Sequence, residues 1–327
     1  MSRELSLEER LWDISEKAQF AMLLDILTPK PGNVHRYRDH PDTRMIHFAA
    51  SITQLGYPLY QAAQWGSRKW SSKDESSRLG SLIKIGVRAS LEPHEKNTLL
   101  GTILLLVPLT TAAGYVSSTS KITKNNLRQS LSRILLDATV EDAVNLVRAL
   151  QIASPGGTKP KSLEWTSTSQ AFDFQSPHTI NLIRQKAYTL RDLQALASSY
   201  DSIAQEYTTD FSYTFDILYP QLLKSLNRYS RLEDAVLDVY LWALGDRPDS
   251  LIQRKGGSQV AKDVMERAQK LYTRIQKIRE TRWTEYLEPF DDYLRSEGSK
   301  LNPGTTADLI SGTLFIALLL ENVKLIY

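Results

Sequence analysis

Apolar residues recur at steps of three and four positions along nearly the whole chain, which is the periodicity of helices that bury one face. The first helix is predicted to follow a capping box at Ser6 and Glu9 and to end at Thr28, because Pro29 disfavours helical geometry in the residue before it. Asp42 is the predicted N-cap of a second helix. No alternating β pattern of useful length occurs, so the pattern predicts an all-α fold. Further helices are predicted over 77–91, 97–116, 125–136, 140–153, 180–208, 211–228, 232–244, 258–279 and 306–323.

One segment, 97–120, carries no charged residue and is long enough to suit a membrane-spanning helix of roughly 20 residues. Asn97, several hydroxyl residues and Pro108 interrupt its apolar run, so we favour a buried central helix over a membrane span. Residues 1–10 mix charged and apolar positions, unlike a signal peptide. We therefore predict one globular domain over 1–327, with a buried central helix, in the cytoplasm and without a membrane partner.

Composition limits the chemistry that this chain can carry. The absence of cysteine excludes disulfides, thiol nucleophiles, Fe–S clusters and thiolate zinc sites, and none of the five histidines is spaced at i,i+4. Lys and Arg number 40 against 37 Asp and Glu, a balance that does not indicate a nucleic-acid binder. The basic stretch 274–279 is more simply the solvated face of a helix. Any chemistry must therefore rest mainly on Asp, Glu, Lys, Arg and Asn.

Basic and amide residues lie next to the ends of two predicted apolar helices. Lys30, Asn33 and Arg36 lie in a loop shaped by two prolines and a glycine, which suits an anionic ligand such as a phosphate chain. A helix-terminating turn with solvated basic residues explains that loop equally well. Asn97 stands before the most apolar helix, where an anion would be favoured, although N-capping accounts for the same residue.

Carboxylates mark two further loops. Asp201 and Glu206 are five residues apart, so they could border one cleft or form a solvated acidic pair. Thr305 and Asp308 have the spacing of a capping pair before the last apolar helix. A buried Asp308 would need a partner, either the helix N-terminus or a bound Mg²⁺.

A fifth loop contains Arg254 and Lys255 directly before two glycines; the two basic side chains could bind a phosphate, and the glycines permit its close approach to the backbone. A charged turn between helices is the alternative. Five polar loops at the ends of apolar helices together suggest one composite site. Their mixture of basic and acidic side chains would suit a magnesium-bound nucleotide polyphosphate.

These loops resemble the triphosphoribosyl-dephospho-CoA synthase family, in its divergent archaeal-type branch. The resemblance runs in order over nearly the whole chain, and the combination of KPGNV with NPGTTADL is fairly specific. The resembling segments are TPKPGNVHRY (28–37), EKNTLLG (95–101), SPGG (154–157), YDSIAQEY (200–207), PDSLIQRKGG (248–257) and NPGTTADL (302–309).

The resemblance implies an all-α transferase that uses Mg²⁺ and ATP. Its reaction would move a triphosphoribosyl group from ATP to 3′-dephospho-CoA and release adenine. By motif position it implies nucleotide-binding roles for Lys30, Asn33, Arg36, Asn97, Lys255, Asn302 and Thr305. It likewise implies catalytic or metal-binding roles for Asp201, Glu206 and Asp308. A homodimer is left open.

The chain departs from the family pattern at Leu99 and Leu100, where the synthases usually carry a His-Lys or His-Arg pair. The SPGG loop also continues with Thr158-Lys159-Pro160-Lys161 in place of Leu-Gly. Two alternatives follow from this departure. One is a related nucleotide-dependent transferase with a different acceptor, and the other is a non-catalytic helical nucleotide-binding protein.

Overall fold

The chain folds into helices joined by turns in the computed structural model, which describes residues 5–69, 78–155, 173–278 and 282–321. Within these ranges no β-strand forms, and an isolated bridge joins His35 to Arg38. The predicted all-α fold is confirmed. In chain order the helices are α1 (Leu7–Leu27), α2 (Met45–Gln54), α3 (Gly56–Lys69), α4 (Leu79–Leu91), α5 (Leu100–Thr119), α6 (Lys124–Leu136), α7 (Val140–Ala153), α8 (Thr179–Lys186), α9 (Leu190–Ala197), α10 (Ser202–Thr208), a π-helix (Tyr213–Leu218), α11 (Tyr219–Arg228), α12 (Leu232–Asp246), α13 (Ser250–Gly256), α14 (Ser258–Ile275), α15 (Trp283–Arg295) and α16 (Gly304–Leu319).

The apolar helix α5 lies at the centre of the fold, packed against α1, α3, α4, α6 and α16. It is long and apolar enough to cross a membrane, but 83% of its most apolar window is buried inside the protein. Its hydropathy is therefore explained by the core, and the prediction of a buried central helix is confirmed. The shorter apolar helix α16 is also almost wholly buried, beside α5 and α1.

Two glycines let α3 and α5 pack with their backbones in contact. A Cβ on Gly66 would lie 2.0 Å from the carbonyl oxygen of Thr111, and a Cβ on Gly114 would lie 2.0 Å from that of Ala63. No larger residue fits either position without separating the helices. This close packing holds the central helix, and therefore the end that carries site residues, in one position.

Several predicted helix boundaries were wrong. The second helix begins after Arg44, not Asp42, because the chain from 39 to 44 is still irregular. The segment 180–208 is three helices, not one. Ala187 ends the first in the left-handed conformation, and the side chains of Thr189 and Asp201 cap the next two.

Three helices were not predicted. The first, α3, begins at Gly56, within a Gly-Tyr-Pro cluster that indicated a break; Pro58 lies in its first turn, where a missing N–H costs nothing. The other two are the short α13, which Asp249 caps, and the amphipathic α15. Conversely, the predicted loop 154–178 lies mostly outside the described residues, which resume at Asp173.

Candidate active site

A cavity of about 410 Å³ lies where the C-terminal end of α1 meets the N-terminal ends of α5, α10, α13 and α16. Each of the five polar loops singled out in the sequence contributes to its wall, so the loops converge on one cavity as predicted. The predicted residues that line it are Asn33, Asn97, Asp201, Lys255, Asn302, Thr305 and Asp308.

Asp308 lies in the cavity wall near the start of α16. Its carboxylate contacts the first turn of α5. Thr102 donates a hydrogen bond of 2.6 Å from its hydroxyl to Oδ1 of Asp308. A Cβ at position 101 would lie 2.0 Å from the other carboxylate oxygen, so only Gly101 permits this approach. Burial raises the pKa of Asp308 to about 7, and the charges of Asp25 and Asp249 act in the same direction. The carboxyl can therefore exchange a proton near neutral pH.

Lys30 is fully buried and forms an ion pair with Asp25. Its ammonium also lies 5.7 Å from the centre of the Tyr240 ring, whose hydroxyl donates a hydrogen bond to the carbonyl of Pro31. Asp25 lines the cavity, whereas Lys30 lies behind it. The geometry makes Lys30 the counter-ion of Asp25, and it does not support the phosphate contact predicted for it.

The N-terminal end of α5 opens into the cavity without a side-chain cap. Its cap residue is Leu99, and among the described residues no side chain accepts a hydrogen bond from the backbone N–H groups of the first turn. The capping interpretation of Asn97 was therefore wrong. The first N–H groups of a helix lack intrahelical partners, and together with the helix dipole they favour an anion.

Asp201 and Arg254 form a second ion pair in the wall of the cavity. Oδ1 of Asp201 caps α10 by accepting hydrogen bonds from the backbone of Ile203 and Ala204, and Oδ2 binds Arg254. Because both oxygens already have partners, this carboxylate is poorly placed to act as a base or a metal ligand. It positions Arg254 instead.

Asp249, which is buried, connects the N-terminal ends of two helices. Its Oδ1 accepts hydrogen bonds from the backbone of Leu251 and Ile252, and its Oδ2 accepts two from the amide and hydroxyl of Thr306. The predicted capping pair of Thr305 and Asp308 was wrong, since the cap position of α16 is Pro303. Asp249, at the start of α13, accepts the hydrogen bonds from Thr306 in the first turn of α16 instead.

Amide and ammonium groups complete the polar wall. The side-chain amide of Asn33 donates a hydrogen bond of 2.7 Å to Asn302, and its own Oδ1 is buried without a partner among the described residues. Lys255 donates to the carbonyl of Ser299 at 3.0 Å, and burial lowers its pKa. Ser250 and Thr305 are joined through their hydroxyls at 3.1 Å.

Besides Lys30, two predicted residues do not line the cavity. Arg36 is paired with Glu233 on α12 at 3.4 Å. Glu206 points to the start of the π-helix, where it accepts hydrogen bonds from the backbone of Tyr213 and Thr214. The structure therefore does not bring Glu206 together with Asp201 and Asp308, because its carboxylate satisfies N–H groups on the opposite side of α10.

The family model for ATP:dephospho-CoA triphosphoribosyl transferase (CitG) matches residues 11–326. The chain belongs to this family. Members transfer a triphosphoribosyl group from ATP to dephospho-CoA, so this CitG-family protein is a transferase, not a non-catalytic nucleotide-binding protein. No curated protein matches the chain.

The fold of this CitG-family protein is similar to that of a crystal structure from Archaeoglobus fulgidus, described provisionally as a triphosphoribosyl-dephospho-CoA synthase. The two share 20% sequence identity with a TM-score of 0.59, over 82% of this chain and 98% of that chain. At this identity the likeness supports the fold.

Sequence reasoning singled out Arg254 as a candidate phosphate ligand, but it missed the roles of three residues of the CitG-family site: Asp25, Thr102 and Asp249. Asp25 had a signal, since it is an acidic residue in the otherwise apolar last turn of α1. Asp249 precedes a helix at N-cap spacing, which explains only half of its contacts. Nothing in the local sequence marks Thr102, because its partner Asp308 is 206 residues away.

Proposed function

We propose that the cavity is where this transferase moves the triphosphoribosyl group of ATP to 3′-dephospho-CoA, with release of adenine. The observation that carries the proposal is Asp308, a buried carboxyl in the cavity wall that titrates near neutral pH. A group with such a pKa suits proton transfer at physiological pH.

The reaction needs one bond to form and one to break. The 2′-hydroxyl oxygen of dephospho-CoA bonds to C1′ of the ATP ribose, and the C1′–N9 bond breaks with its electron pair leaving on adenine. Asp308 accepts the proton of the attacking hydroxyl, and adenine takes up a proton as it leaves. Positive charge develops on the sugar during this step, and a nearby carboxylate stabilises it.

Support for triphosphate binding comes from three groups in the cavity wall. The uncapped N-terminus of α5 offers backbone N–H donors, and Lys255 and Arg254 offer positive charge. Arg254 is oriented by Asp201, which preorganises its guanidinium. These groups would hold the triphosphate, and with it the transferred part of ATP, in a fixed position.

Magnesium fits this wall as an ion that arrives with the triphosphate. Among the described residues no group of three or more His, Asp or Glu side chains is spaced to hold a metal. Asp42 lines the cavity, and its charge acts on Lys255. Mg²⁺ is commonly held by one or two carboxylates together with substrate phosphates, and Asp42 would be such a carboxylate. The ion would neutralise charge on the triphosphate.

A different acceptor is the second candidate, favoured by one observation. Leu99 and Leu100 line the cavity at the mouth of α5, where the family's polar pair would stand. An acceptor that is less anionic than dephospho-CoA would suit this apolar edge. Product masses from a panel of ribosyl acceptors, each incubated with MgATP, separate the two candidates.

The test of the proposal is adenine release from MgATP and dephospho-CoA by the wild type and by Asp308→Asn. We expect the variant to lose about 10²–10⁴-fold in rate, the usual contribution of a general base. Asp263→Asn, an exposed aspartate on α14, is the matched control and should keep full activity. Adenine release that is unaffected by Asp308→Asn would reject the role of this carboxyl.

A further inference from the structure

Gln194, on α9, is a buried amide that the proposed chemistry does not use. The residue is only 7% exposed, and its side chain lines the cavity. Among the described residues no hydrogen-bond partner is found for that side chain. Its amide oxygen and nitrogen are not among the fully buried, unpartnered side-chain atoms of the described residues, so they are accessible from the cavity. An amide in this state, facing a cavity, is suited to a partner on a ligand.

The wall around Gln194 is apolar, unlike the wall around Asp308. It is formed by α7 and α9, which pack against each other, and it includes Leu146, Leu150 and Leu193. Two aromatic side chains, Phe174 and Tyr200, line the same cavity. A flat, largely apolar group with a few polar atoms at its edge would fit a wall of this composition.

We infer that Gln194 recognises the edge of an adenine ring bound against the cavity wall that α7 and α9 form. A side-chain amide carries one acceptor and one donor group side by side. Adenine presents the complementary pair, an amino donor beside a ring-nitrogen acceptor, which is the pairing that Gln and Asn make with adenine in nucleic acids. The apolar side chains that α7 and α9 contribute to this wall would contact a face of the ring.

The inference rests on the proposed function, because both substrates of that reaction contain adenine. One adenine belongs to ATP and is the leaving group, and the other belongs to dephospho-CoA and stays on the product. The recognition chemistry is the same in both cases. Gln194 is accordingly a specificity residue for one of the two substrates, and the experiment must say which.

The first measurement is calorimetric binding of ATP and of dephospho-CoA, each alone, to the wild type, to Gln194→Leu and to Gln194→Met. We expect one of the two ligands to bind about tenfold more weakly to both variants, the loss that one or two hydrogen bonds produce. Gln185→Leu, an exposed glutamine on the neighbouring α8, is the matched control and should bind both ligands as the wild type does.

The second measurement identifies the source of the ring. Purine riboside triphosphate and 6-deamino-dephospho-CoA lack the amino group that Gln194 would accept from. The wild type should discriminate against one of these analogues by about tenfold, and Gln194→Leu should discriminate no longer. The substrate whose discrimination disappears is the one that Gln194 contacts. If neither discrimination changes, the inference is overturned.

Thermal unfolding of the ligand-free proteins excludes a purely structural role. Replacing an unpaired buried amide by leucine should leave the midpoint unchanged or raise it. A lower midpoint with unchanged binding would show that the amide has a partner within the protein, and would overturn the inference. Because binding needs no turnover, Gln194-dependent binding by an inactive wild type would count against the proposed function alone. An active wild type with unchanged Gln194 variants would count against the inference alone.

Discussion

At the scale of single residues, the chemistry of the site centres on one carboxyl. Asp308 is held by Thr102 and given room by Gly101, and the nearby charges of Asp25 and Asp249 oppose its ionisation while Lys30 favours it. Burial has the largest effect, so its pKa lies near 7 instead of near 4. Because the pKa of Asp308 is raised, both catalysis and stability should depend on pH.

The first prediction concerns pH. If Asp308 acts as a base, kcat/KM should rise with pH through an apparent pKa near 7, the value that burial gives it. Stability should change in the opposite direction. A carboxyl whose pKa is raised in the folded state binds a proton more tightly there than in the unfolded chain, so its contribution is present at low pH and is lost as pH rises towards 7.

Asp308→Asn removes this linkage, so its stability should fall less than that of the wild type between pH 4 and pH 7. Urea unfolding at several pH values measures the difference, with Asp263→Asn as the control. A wild-type rate that is flat from pH 5 to pH 8, or identical pH slopes for the wild type and Asp308→Asn, would contradict the assignment.

The second prediction concerns Lys255, whose ammonium lies in the cavity wall. Lys255→Met should raise KM for MgATP by at least about tenfold, since a hydrogen bond to a charged group contributes about 1.5–3 kcal/mol. Lys262→Met, an exposed lysine on α14, is the control and should leave KM unchanged. An effect of Lys255→Met on the KM of the acceptor alone would place the triphosphate elsewhere.

Residue types in loops could be predicted from the sequence, but their partners could not. Asp308 stood out as a carboxylate in an apolar first turn that needed a partner. The partner is Thr102, an unremarkable hydroxyl far away in the chain. Lys30 and Glu206 were misassigned because their charges are satisfied by Asp25 and by the π-helix backbone, contacts that only the tertiary structure brings together.

At the scale of elements, the site depends on how closely helices approach one another. Gly66 and Gly114 bring α3 against α5, and α5 in turn carries Thr102 to Asp308. Asp249 joins the ends of α13 and α16 in a similar way. These contacts fix the helix ends that form the wall of the cavity.

The third prediction follows from the contact between α3 and α5. Gly114→Ala should lower the free energy of unfolding by at least about 2 kcal/mol, since overpacking usually costs 1–3 kcal/mol and this Cβ would meet backbone, which cannot turn aside. Gly312→Ala is the matched control, because its Cβ would find ordinary contacts at 3.7 Å. Equal stability of the two variants in urea would contradict the close packing.

Long apolar helices were predictable from periodicity, and short or interrupted ones were not. The apolar stripe of α1 and the uncharged run of α5 both predicted helices, and both segments are helical in the structure. The seven residues of α13 are too few for a periodic signal, and α8, α9 and α10 share one continuous pattern that caps divide. Capping and tertiary contacts decided these boundaries.

At the scale of the whole molecule, the cavity joins distant parts of the chain. Its wall includes the end of α1, the start of α5 and the starts of α10, α13 and α16. A ligand bound in the cavity contacts these helix ends directly. Without a ligand, they are connected through the core. Binding should therefore protect several segments at once.

The fourth prediction is that MgATP slows amide hydrogen exchange in the first turns of α5 and α16 together. The N–H groups at the start of α5 lack caps and would gain phosphate partners. The first turn of α6, which follows the opposite end of α5 and contributes no residue to the cavity wall, should exchange at its ligand-free rate. Protection confined to segments outside the cavity wall would place the nucleotide elsewhere.

Product identity tests the central claim most directly. The wild-type protein is incubated with MgATP and dephospho-CoA, and the nucleotide products are separated and weighed by mass spectrometry. The predicted result is free adenine in equal amount to a new species whose mass is that of dephospho-CoA plus ATP less adenine. The formation of ADP or AMP, or adenine without the new species, would contradict triphosphoribosyl transfer to this acceptor.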